Sequence, residues 1–392
     1  MRKKILAASL MGFFAASAAH AQSSVTLYGS LDAGIVYVNN VAGGGHAWVQ
    51  SSSALSPTYF GLRGVEDLGG GLKAIFDLEN GFNLNNGTLG TSSTMFNRKA
   101  FVGLASDQYG ALTLGRQYDF VAEDLGPLSS AGQNAGVQVA GHPFNNDNVA
   151  ALYSLANTIK YTSANYSGFQ LGGMYGFSNS TDFANNRSYS FGATYNNGPL
   201  SVGAAYLQIN NNPNAVFNTA GTLNAASATI LAETQRSYGI GGTYAFGPAK
   251  VGLLFTRSQY FNLAGIAQGG VSPSITTGQG LNINNYEING TYSVTPAIAV
   301  LGSYTFSDGK SGGGAVTGGN QFPKWHTAML GGDYAFSRRT DVYVAAVYQH
   351  ATGSLGLNPD GTAAPNVAAI STLPPSSTQN QVAAAVGLRH RF

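Results

Sequence analysis

Residues 238–248 read Tyr-Gly-Ile-Gly-Gly-Thr-Tyr-Ala-Phe-Gly-Pro. Tyr238, Ile240, Tyr244 and Phe246 stand at even-numbered positions, and the residues between them are small or polar. A period of two predicts a β-strand with one apolar face. The Gly-Pro step that follows predicts a tight turn. This stretch therefore predicts one strand and the turn that ends it.

The same pattern recurs along the chain, in segments that include residues 25–37, 169–177, 200–206 and 298–306. Two kinds of connection alternate between such segments, and short turns that alternate with long loops are typical of an outer-membrane β-barrel. The tight turns are predicted at residues 66–71, 107–110, 166–168, 196–199, 246–248, 294–296 and 337–339. The long loops are predicted at residues 39–56, 119–157, 210–233, 261–282, 307–324 and 351–379.

The composition also favours a membrane barrel. Only 9% of the residues are charged, against about 25% in an average soluble domain. No uninterrupted apolar run of about 20 residues follows the first 21 positions, so membrane-spanning helices are not expected. In a bilayer every backbone N–H and C=O group must be paired within the protein, and without helices only a closed β-barrel achieves this.

The fold class is therefore all-β, a transmembrane antiparallel barrel of about sixteen strands, a size that leaves a water-filled interior. The last strand has two distinct faces and ends at Phe392. Its pairing with the strand that begins at Val25 would close the sheet and remove both edges. One face of it carries Val382, Ala384, Val386 and Leu388, and the other carries Gln381, Arg389 and Arg391.

The first 21 residues are predicted to be a cleavable secretory signal, because Arg2, Lys3 and Lys4 precede a short, Ala-rich apolar stretch that ends in Ala-His-Ala. Residues 22–392 then form one barrel domain. Three of the 19 basic residues lie in the signal and all 17 acidic residues lie beyond it, which leaves a formal charge of −1. Nucleic acid is not an expected partner, and the absence of Cys excludes disulfides and thiolate metal sites.

Five blocks of sequence resemble one family. They are VTLYGSLDAGI at 25–35, GLRGVEDLGGGLKAIFDLE at 61–79, RKAFVGLASDQYGALTLGRQYD at 98–119, IKYTSANYSGFQLGGMYGF at 159–177 and VGLRHRF at 386–392. Together they are similar to general porins of Gram-negative bacteria, of the betaproteobacterial type. The resemblance implies a homotrimer of sixteen-stranded barrels in the bacterial outer membrane, which lets ions and small hydrophilic solutes diffuse passively.

The resemblance also implies that the third external loop folds into the pore as a constriction. In this chain that loop is residues 119–157, and its acids Asp119, Glu123, Asp124 and Asp147 are candidates for the pore eyelet. The alternative is a Gly-rich loop that lies on the outer surface with solvated charges.

The family usually places basic residues on the barrel wall that faces this loop. Strand alternation points Arg63, Arg98 and Lys160 toward the lumen, and these three are the predicted basic side of the eyelet. Acid and base on opposite sides of a narrow pore create a transverse field that orients dipolar solutes. The alternative is that each cation only forms a structural ion pair with the wall.

Three positions that are commonly basic in the family hold Ser30, Tyr59 and Ser154. Fewer wall cations leave the charge selectivity open, with a slight expectation of cation preference from the loop acids. Arg116 falls on the outward face of its strand, where lipid exposure at mid-depth costs about 2–4 kcal/mol. It is predicted either to contact another subunit or to reach toward the headgroups.

Catalysis, a metal and a cofactor are not expected. The histidines beyond the signal, His46, His142, His326, His350 and His390, lack metal-ligand spacing, and neither GxSxG nor HExxH occurs. Two other functions stay open: a substrate-selective channel, which aromatic ladders in the lumen would favour, and a surface adhesin that uses the long loops. Most aromatics lie on the predicted lipid face, which favours general diffusion.

Overall fold

The alternating segments form β-strands that pair antiparallel with their sequence neighbours and close on themselves. The computed structural model describes residues 24–91, 94–132, 138–179, 181, 183, 186–211, 230–266, 278–312, 320–357 and 362–392. The predicted signal segment, residues 1–21, lies outside the described residues.

The described residues form nineteen strands, numbered in chain order. They are β1 (Ser24–Asn39), β2 (His46–Ser52), β3 (Tyr59–Gly69), β4 (Leu72–Gly81), β5 (Lys99–Ser106), β6 (Gly110–Gln117), β7 (Leu155–Thr162), β8 (Phe169–Gly176), β9 (Arg187–Asn197), β10 (Leu200–Asn210), β11 (Ile230–Phe246), β12 (Ala249–Ile266), β13 (Gly280–Ser293), β14 (Ile298–Gly312), β15 (Lys324–Ala335), β16 (Thr340–Thr352), β17 (Ser354–Leu357), β18 (Ala363–Pro365) and β19 (Asn380–Arg391). No helix of this described part is long and apolar enough to cross a membrane.

The barrel has sixteen strands because β2 and β3 act as one. Residues 24–30 of β1 pair with β3, and residues 33–39 of β1 pair with β2. The second strand of the barrel wall is therefore interrupted at residues 53–58. β17 and β18 form a separate two-stranded sheet, which is hydrogen-bonded to the barrel through the Leu355 carbonyl. The predicted fold class, an antiparallel barrel of about sixteen strands, is confirmed.

The first and last strands close the sheet as predicted. β19 pairs with β16 on one side and with β1 on the other, where Ile35 lies opposite Val386. The Phe392 amide donates to the Gly29 carbonyl and the Gly29 amide donates to the Phe392 carbonyl, both at 3.1 Å. Both sheet edges are thereby removed. The further role of Phe392 in assembly stays a prediction.

Every predicted tight turn overlaps a connection between two consecutive strands, although the turn predicted at 66–71 includes residues 66–69 of β3 and the one at 196–199 includes residues 196–197 of β9. The observed connections are residues 70–71, 107–109, 163–168, 198–199, 247–248, 294–297 and 336–339. The first of them needs its glycines, because Gly69, Gly70 and Gly71 have φ angles of 85°, 62° and 80°, which other residues rarely adopt.

Several predicted long loops are too wide. Strand β12 runs to Ile266 and β14 runs to Gly312, although loops were expected from residues 261 and 307. The β14 extension, residues 307–312, has no large apolar side chain, and the β12 extension contains a register shift opposite Leu231 and Ala232, so simple alternation reveals neither. The predicted loop at 39–56 contains β2, and the loop at 351–379 contains the β17–β18 hairpin.

Aromatic side chains mark the short-turn end of the outward face. Phe246, Tyr292 and Phe336, each placed by the sequence just before a tight turn, are 53%, 52% and 63% exposed. Rings at this level fit the interfacial girdle of a membrane barrel. The inward face is different, since it carries small and polar residues such as Ser190, Ser237 and Ser258.

Candidate functional site in the barrel lumen

The described residues of the connection between β6 and β7, 118–132 and 138–154, lie inside the barrel. The Phe120 amide donates to Ser190 Oγ on β9 (3.0 Å), and Asn289 Nδ2 on β13 donates to the Leu128 carbonyl (2.9 Å). Because both partners point inward, this segment, here called the inward loop, runs along the inner face of β9–β13. The short helical turns of the inward loop are Val121–Leu125, Gly126–Leu128, Gln138–Ala140 and Pro143–Asn145.

Apolar contacts hold the first half of the inward loop against the wall. Leu125 is fully buried in a cluster with Leu207 of β10 and Leu254 of β12. Fully burying such a side chain contributes about 1.5–3 kcal/mol. The wall also leaves room for the loop, since a Cβ at Gly172 would lie 2.1 Å from Phe120 Cζ. Polar residues are usual on a lumen-facing wall, and the leucines here instead form an apolar surface on which the loop packs.

A buried histidine anchors the second half. His142 Nδ1 lies 2.5 Å from Asp147 Oδ2, and its Nε2 lies 3.1 Å from Glu287 Oε2 on β13. Burial lowers the pKa of His142, but the two carboxylates outweigh burial and raise it to about 10. Burial raises the pKa of Asp147, and the ion pair with His142 outweighs this and lowers it. The imidazolium therefore bridges the loop and the wall.

Two of the four predicted eyelet acids are structural. Asp119 is 0% exposed and accepts hydrogen bonds from the amides of Val121 (2.8 Å) and Ala122 (3.2 Å), and burial raises its pKa to about 6. Asp147 is also 0% exposed, in the His142 pair. The expectation that these two acids face the lumen is wrong. Backbone amides of the loop bind Asp119, and the buried His142 binds Asp147.

The other two acids, Glu123 and Asp124, lie beside the predicted wall cation Lys160. Lys160 is 4% exposed, and its Nζ donates to the Tyr118 carbonyl (2.9 Å) and forms an ion pair with Glu123. Burial, followed by repulsion from Glu123, raises the pKa of Asp124 to about 7. Lys160 thus points inward as predicted, but the inward loop covers it.

Arg63 and Arg98 both point into the lumen. Arg63 is exposed and lies over the ring of Tyr28, 5.1 Å from its centroid. Arg98 precedes β5, lies over the ring of Tyr59 at 4.9 Å, and donates Nε–H to Glu79 at 2.5 Å. Their direction agrees with the sequence prediction, and their role in the pore stays a prediction.

Two further lumen cations come from the last strand. Arg389 forms ion pairs with Asp333 (3.2 Å) and Asp341 (2.8 Å), and Arg391 pairs with Asp341 (2.8 Å). Alternation in β19 had placed both arginines on the inward face, which was the signal for them, but the eyelet prediction omitted them. Arg391 lies directly opposite Ser30 in the β1–β19 register. The cation that Ser30 lacks is thus supplied by the neighbouring strand.

A cavity of about 270 Å³ separates the wall from the inward loop. On the wall side it is lined by Arg98, Arg389 and Arg391 together with Ser30 and Tyr59. On the loop side the lining is small and uncharged. Its loop residues are Ala122, Gly126, Pro127, Ala131, Gly132, Gln138, Val149, Ala150 and Ala151. Among the residues that the structure describes, this space is therefore lined by cations and by no carboxylate.

Arg116 lies at the external end of the outward face of β6. Its Nη1 donates to the carbonyl oxygen of Ser154 (3.2 Å) and to Ser154 Oγ (3.3 Å). This hydrogen bonding inside the chain lowers the cost of an outward guanidinium. It neither requires nor excludes a subunit contact, so that role stays a prediction.

Comparisons with known proteins agree with this architecture. Residues 7–354 match the family model described as Gram-negative porin. An outer membrane porin protein of Bordetella pertussis is 32% identical, with 100% of each chain covered. Outer membrane porin protein 32 of Delftia acidovorans is 35% identical over 53% of this chain and 60% of its own length.

Solved structures are similar over nearly the whole chain. The anion-selective porin from Comamonas acidovorans has a TM-score of 0.69 at 25% identity and covers 95% of this chain and 100% of its own. The trimer form of OmpT, an outer membrane protein of Vibrio cholerae, shares the fold with a TM-score of 0.63 at 17% identity, over 94% and 99% of the two chains. The chain belongs to the Gram-negative porin family and forms an outer-membrane channel for passive diffusion.

Proposed function

We propose that this porin is a general diffusion channel with a weak preference for small anions, and that the inward loop is its constriction. One observation carries the proposal: the cavity between loop and wall is lined by Arg98, Arg389 and Arg391 and, among the described residues, by no carboxylate. A ring of cations at a narrow point lowers the electrostatic barrier for anions and raises it for cations.

The depth of the charges supports a preference for anions even though acids and bases are paired. Glu79 and Asp341 have side-chain exposures of only 3% and 4%, whereas Arg98 and Arg391 have 19% and 38%. At these two pairs a passing ion therefore meets the guanidinium group before the carboxylate beneath it, whereas at the Arg389–Asp333 pair the carboxylate is the more exposed, 14% against 3%. The slight expectation of cation preference depended on the loop acids, of which Asp119 and Asp147 are buried.

The loop supports the role of a constriction because it is anchored at several points. Apolar burial of Leu125 and the His142 bridge hold it against β9–β13. The remaining opening then lies between the loop and the opposite wall, which includes β1, β3 and β19. The relative from Comamonas acidovorans, described as anion-selective, supports the same direction of selectivity.

Reversal potentials across a planar bilayer test the selectivity. In a tenfold potassium chloride gradient, the wild-type channel should give the sign of an anion-preferring pore, and Arg391→Gln should move the potential toward zero. Arg338→Gln is the matched control, because Arg338 is exposed in the turn between β15 and β16, away from the cavity. A cation-preferring wild type, or equal shifts in both variants, would contradict the proposal.

We also propose that the protein is a homotrimer whose subunits meet on the outward face of β5 and β6. These strands have only 8 residues each, which at about 3.4 Å per residue and a tilt near 40° span about 20 Å, less than an apolar band of about 25 Å. Val102, Leu104 and Leu114 are 59%, 49% and 51% exposed there. A partner subunit would cover this short wall better than lipid does.

A further inference from the structure

The second strand of the barrel wall leaves the sheet at residues 53–58, and this segment is here called the bend. Its two ends are closed on one residue of β1. The Ser53 amide donates to the Asp32 carbonyl (2.8 Å), and the Asp32 amide donates to Thr58 Oγ1 (3.0 Å). The apolar residues of the bend belong to a buried cluster with inward side chains of β1. The bend therefore folds toward the lumen.

The carboxylate of Asp32 holds the bend from inside the barrel, where this residue is 0% exposed. Its Oδ1 accepts hydrogen bonds from the Leu55 amide (3.3 Å) and from Tyr343 Oη (2.7 Å). Its Oδ2 accepts from the Ser56 amide (3.0 Å) and from Ser56 Oγ (3.1 Å). A buried carboxylate needs such donors because it has lost its water. The bend and the carboxylate therefore stabilise each other.

Two glycines make room for this arrangement. A Cβ at Gly387 of β19 would lie 2.2 Å from Tyr343 Oη. A Cβ at Gly34 of β1 would lie 3.1 Å from the same oxygen and 3.0 Å from Ala54 Cβ. A larger residue at either position would push the tyrosine or the bend away from its place. The neighbouring strands are therefore matched to the bend and to the side chain that reaches Asp32.

The bend contacts the inward loop at residues 138–140, here called the middle segment. The Gln138 amide donates to the Leu55 carbonyl (2.9 Å). Val139 and Ala140 are 4% and 1% exposed and belong to the same apolar cluster as Leu55. The first half of the inward loop packs on β10 and β12. The inward loop is therefore held at two separate places around the wall, and the bend provides the second.

The bend also connects the middle segment to a cation of the pore. Arg389 lies opposite Asp32 in the β1–β19 register, and its Nη1 donates to Ser56 Oγ (3.2 Å). The same hydroxyl donates to Asp32 Oδ2. Ser56, Arg389 and Gln138 all line the cavity between the inward loop and the wall. A displacement of the bend would therefore change both the loop side and the wall side of this opening.

We propose that the bend anchors the middle segment of the inward loop and that Asp32 is the positioning residue of this anchor. The Asp32 carboxylate fixes Leu55 and Ser56. Leu55 in turn binds the middle segment, and Ser56 orients Arg389. The effect of the anchor on current rests on the proposed role of the inward loop as the constriction, whereas its effect on the position of the middle segment does not.

Thiol labelling of the full-length protein in detergent tests the anchor, because the chain has no Cys and a single introduced thiol reports on one place. Val139→Cys places the thiol in the middle segment. Val121→Cys makes the same substitution in the first half of the inward loop, at a residue that is 0% exposed. Each is combined with Asp32→Asn, and the rate of reaction with a charged, water-soluble methanethiosulfonate is measured.

In Asp32→Asn an amide N–H donor replaces a carboxylate oxygen, so one side of the new side chain opposes the donors of Leu55 or Ser56. The thiol at position 139 should then react about tenfold faster than without Asp32→Asn. The thiol at position 121 should react at an unchanged rate. Asp107→Asn is the matched control, because Asp107 is exposed in the turn between β5 and β6, and it should change neither rate.

Two results would overturn the proposal: an unchanged rate at position 139 in Asp32→Asn, or an equal increase at positions 139 and 121, which would show a general loosening. If Asp32→Asn fails to fold, Tyr343→Phe decides by the same comparison, with an increase of about threefold at position 139, since it removes one hydrogen bond to Asp32. Faster labelling at position 139 with an unchanged single-channel current would support the anchor and would contradict the proposed constriction instead.

Discussion

At the scale of single residues, burial decides what each charge does. Glu123 and Asp119 are both acids of one loop, yet Glu123 has a side-chain exposure of 40% while Asp119 has a residue exposure of 0%. Alternation in a strand predicts the inward direction of Arg63 and Lys160. Arg98 has the parity of the outward-facing Val102 and Leu104, and it points inward because it precedes β5, outside the strand. The direction of a side chain does not predict whether another segment covers it. The inward loop covers Lys160, whereas Arg391 stays exposed to the lumen.

The acids of the inward loop are harder to predict than the wall cations. A loop has no period, so the sequence alone does not distinguish Asp119, which caps a helical turn, from an acid that faces solvent. The partners of His142 are 5 and 145 residues away. Glu287 has strand periodicity, which gives its inward direction, but nothing in the sequence links it to His142.

The His142 bridge predicts a loss of stability at alkaline pH. The folded-state pKa of about 10 is above the unfolded value of about 6.5, so the stabilisation is complete below about pH 6.5 and is lost as the pH rises through about 10. The unfolding midpoint of the wild-type protein should decrease as the pH is raised from 7 to 11. His142→Gln should lower stability by about 3 kcal/mol at pH 7, because it leaves Asp147 buried and unpaired.

The difference between the unfolding midpoints of wild type and His142→Gln separates the effect of His142 from that of other groups that titrate at alkaline pH. That difference should shrink as the pH rises from 7 to 11. Two curves that stay parallel over this range would show that the bridge does not set the pH dependence.

At the scale of elements, strands and turns follow from local sequence, whereas the position of the inward loop does not. Period-two alternation and Gly-rich turns identify the barrel strands and all seven tight turns. Alternation is lost at the external end of β14 because both faces become polar, and at the external end of β12 because its register shifts against β11, so the sequence predicts loops at both ends. The inward position of the described loop residues, 118–132 and 138–154, depends on an apolar surface to which several distant strands contribute, with Leu207 and Leu254 among its residues.

Close packing of the inward loop on β9 predicts that Gly192→Ala will displace it. The added Cβ would lie 2.0 Å from Asp124 Oδ2 and 2.7 Å from Phe120 Cβ, so the loop must move. We expect a destabilisation of about 1–3 kcal/mol and a changed single-channel conductance. The control is Gly302→Ala on β14, where the nearest atom is the Met329 carbonyl oxygen at 3.7 Å.

Conductance and unfolding midpoint, measured for both variants, decide whether the loop sets the pore width. Equal behaviour of Gly192→Ala and Gly302→Ala would mean that the loop yields without affecting the channel, and the constriction would then have to lie elsewhere.

At the scale of the whole molecule, the wall is uneven, and its two sides face different surroundings. Strands β11–β14 have 14 to 18 residues, whereas β5–β8 have 8. The tall side carries three outward-facing arginines (Arg187, Arg236 and Arg257) near a row of stacked tyrosines, as suits a surface beside lipid headgroups. The short side has apolar residues but too little height for the bilayer, as suits a surface covered by another subunit.

This unevenness predicts different effects for the same substitution on the two sides. Leu114 on β6 and Leu253 on β12 both point outward, with exposures of 51% and 62%. Leu114→Lys should convert trimers to monomers, because a charge buried between subunits without a partner is expensive. Leu253→Lys should leave trimers intact and cost up to about 2–4 kcal/mol of stability in a bilayer. Light scattering in detergent measures the mass, and a monomeric wild type would refute the trimer. Dissociation of Leu253→Lys but not of Leu114→Lys would move the subunit contact to the tall side.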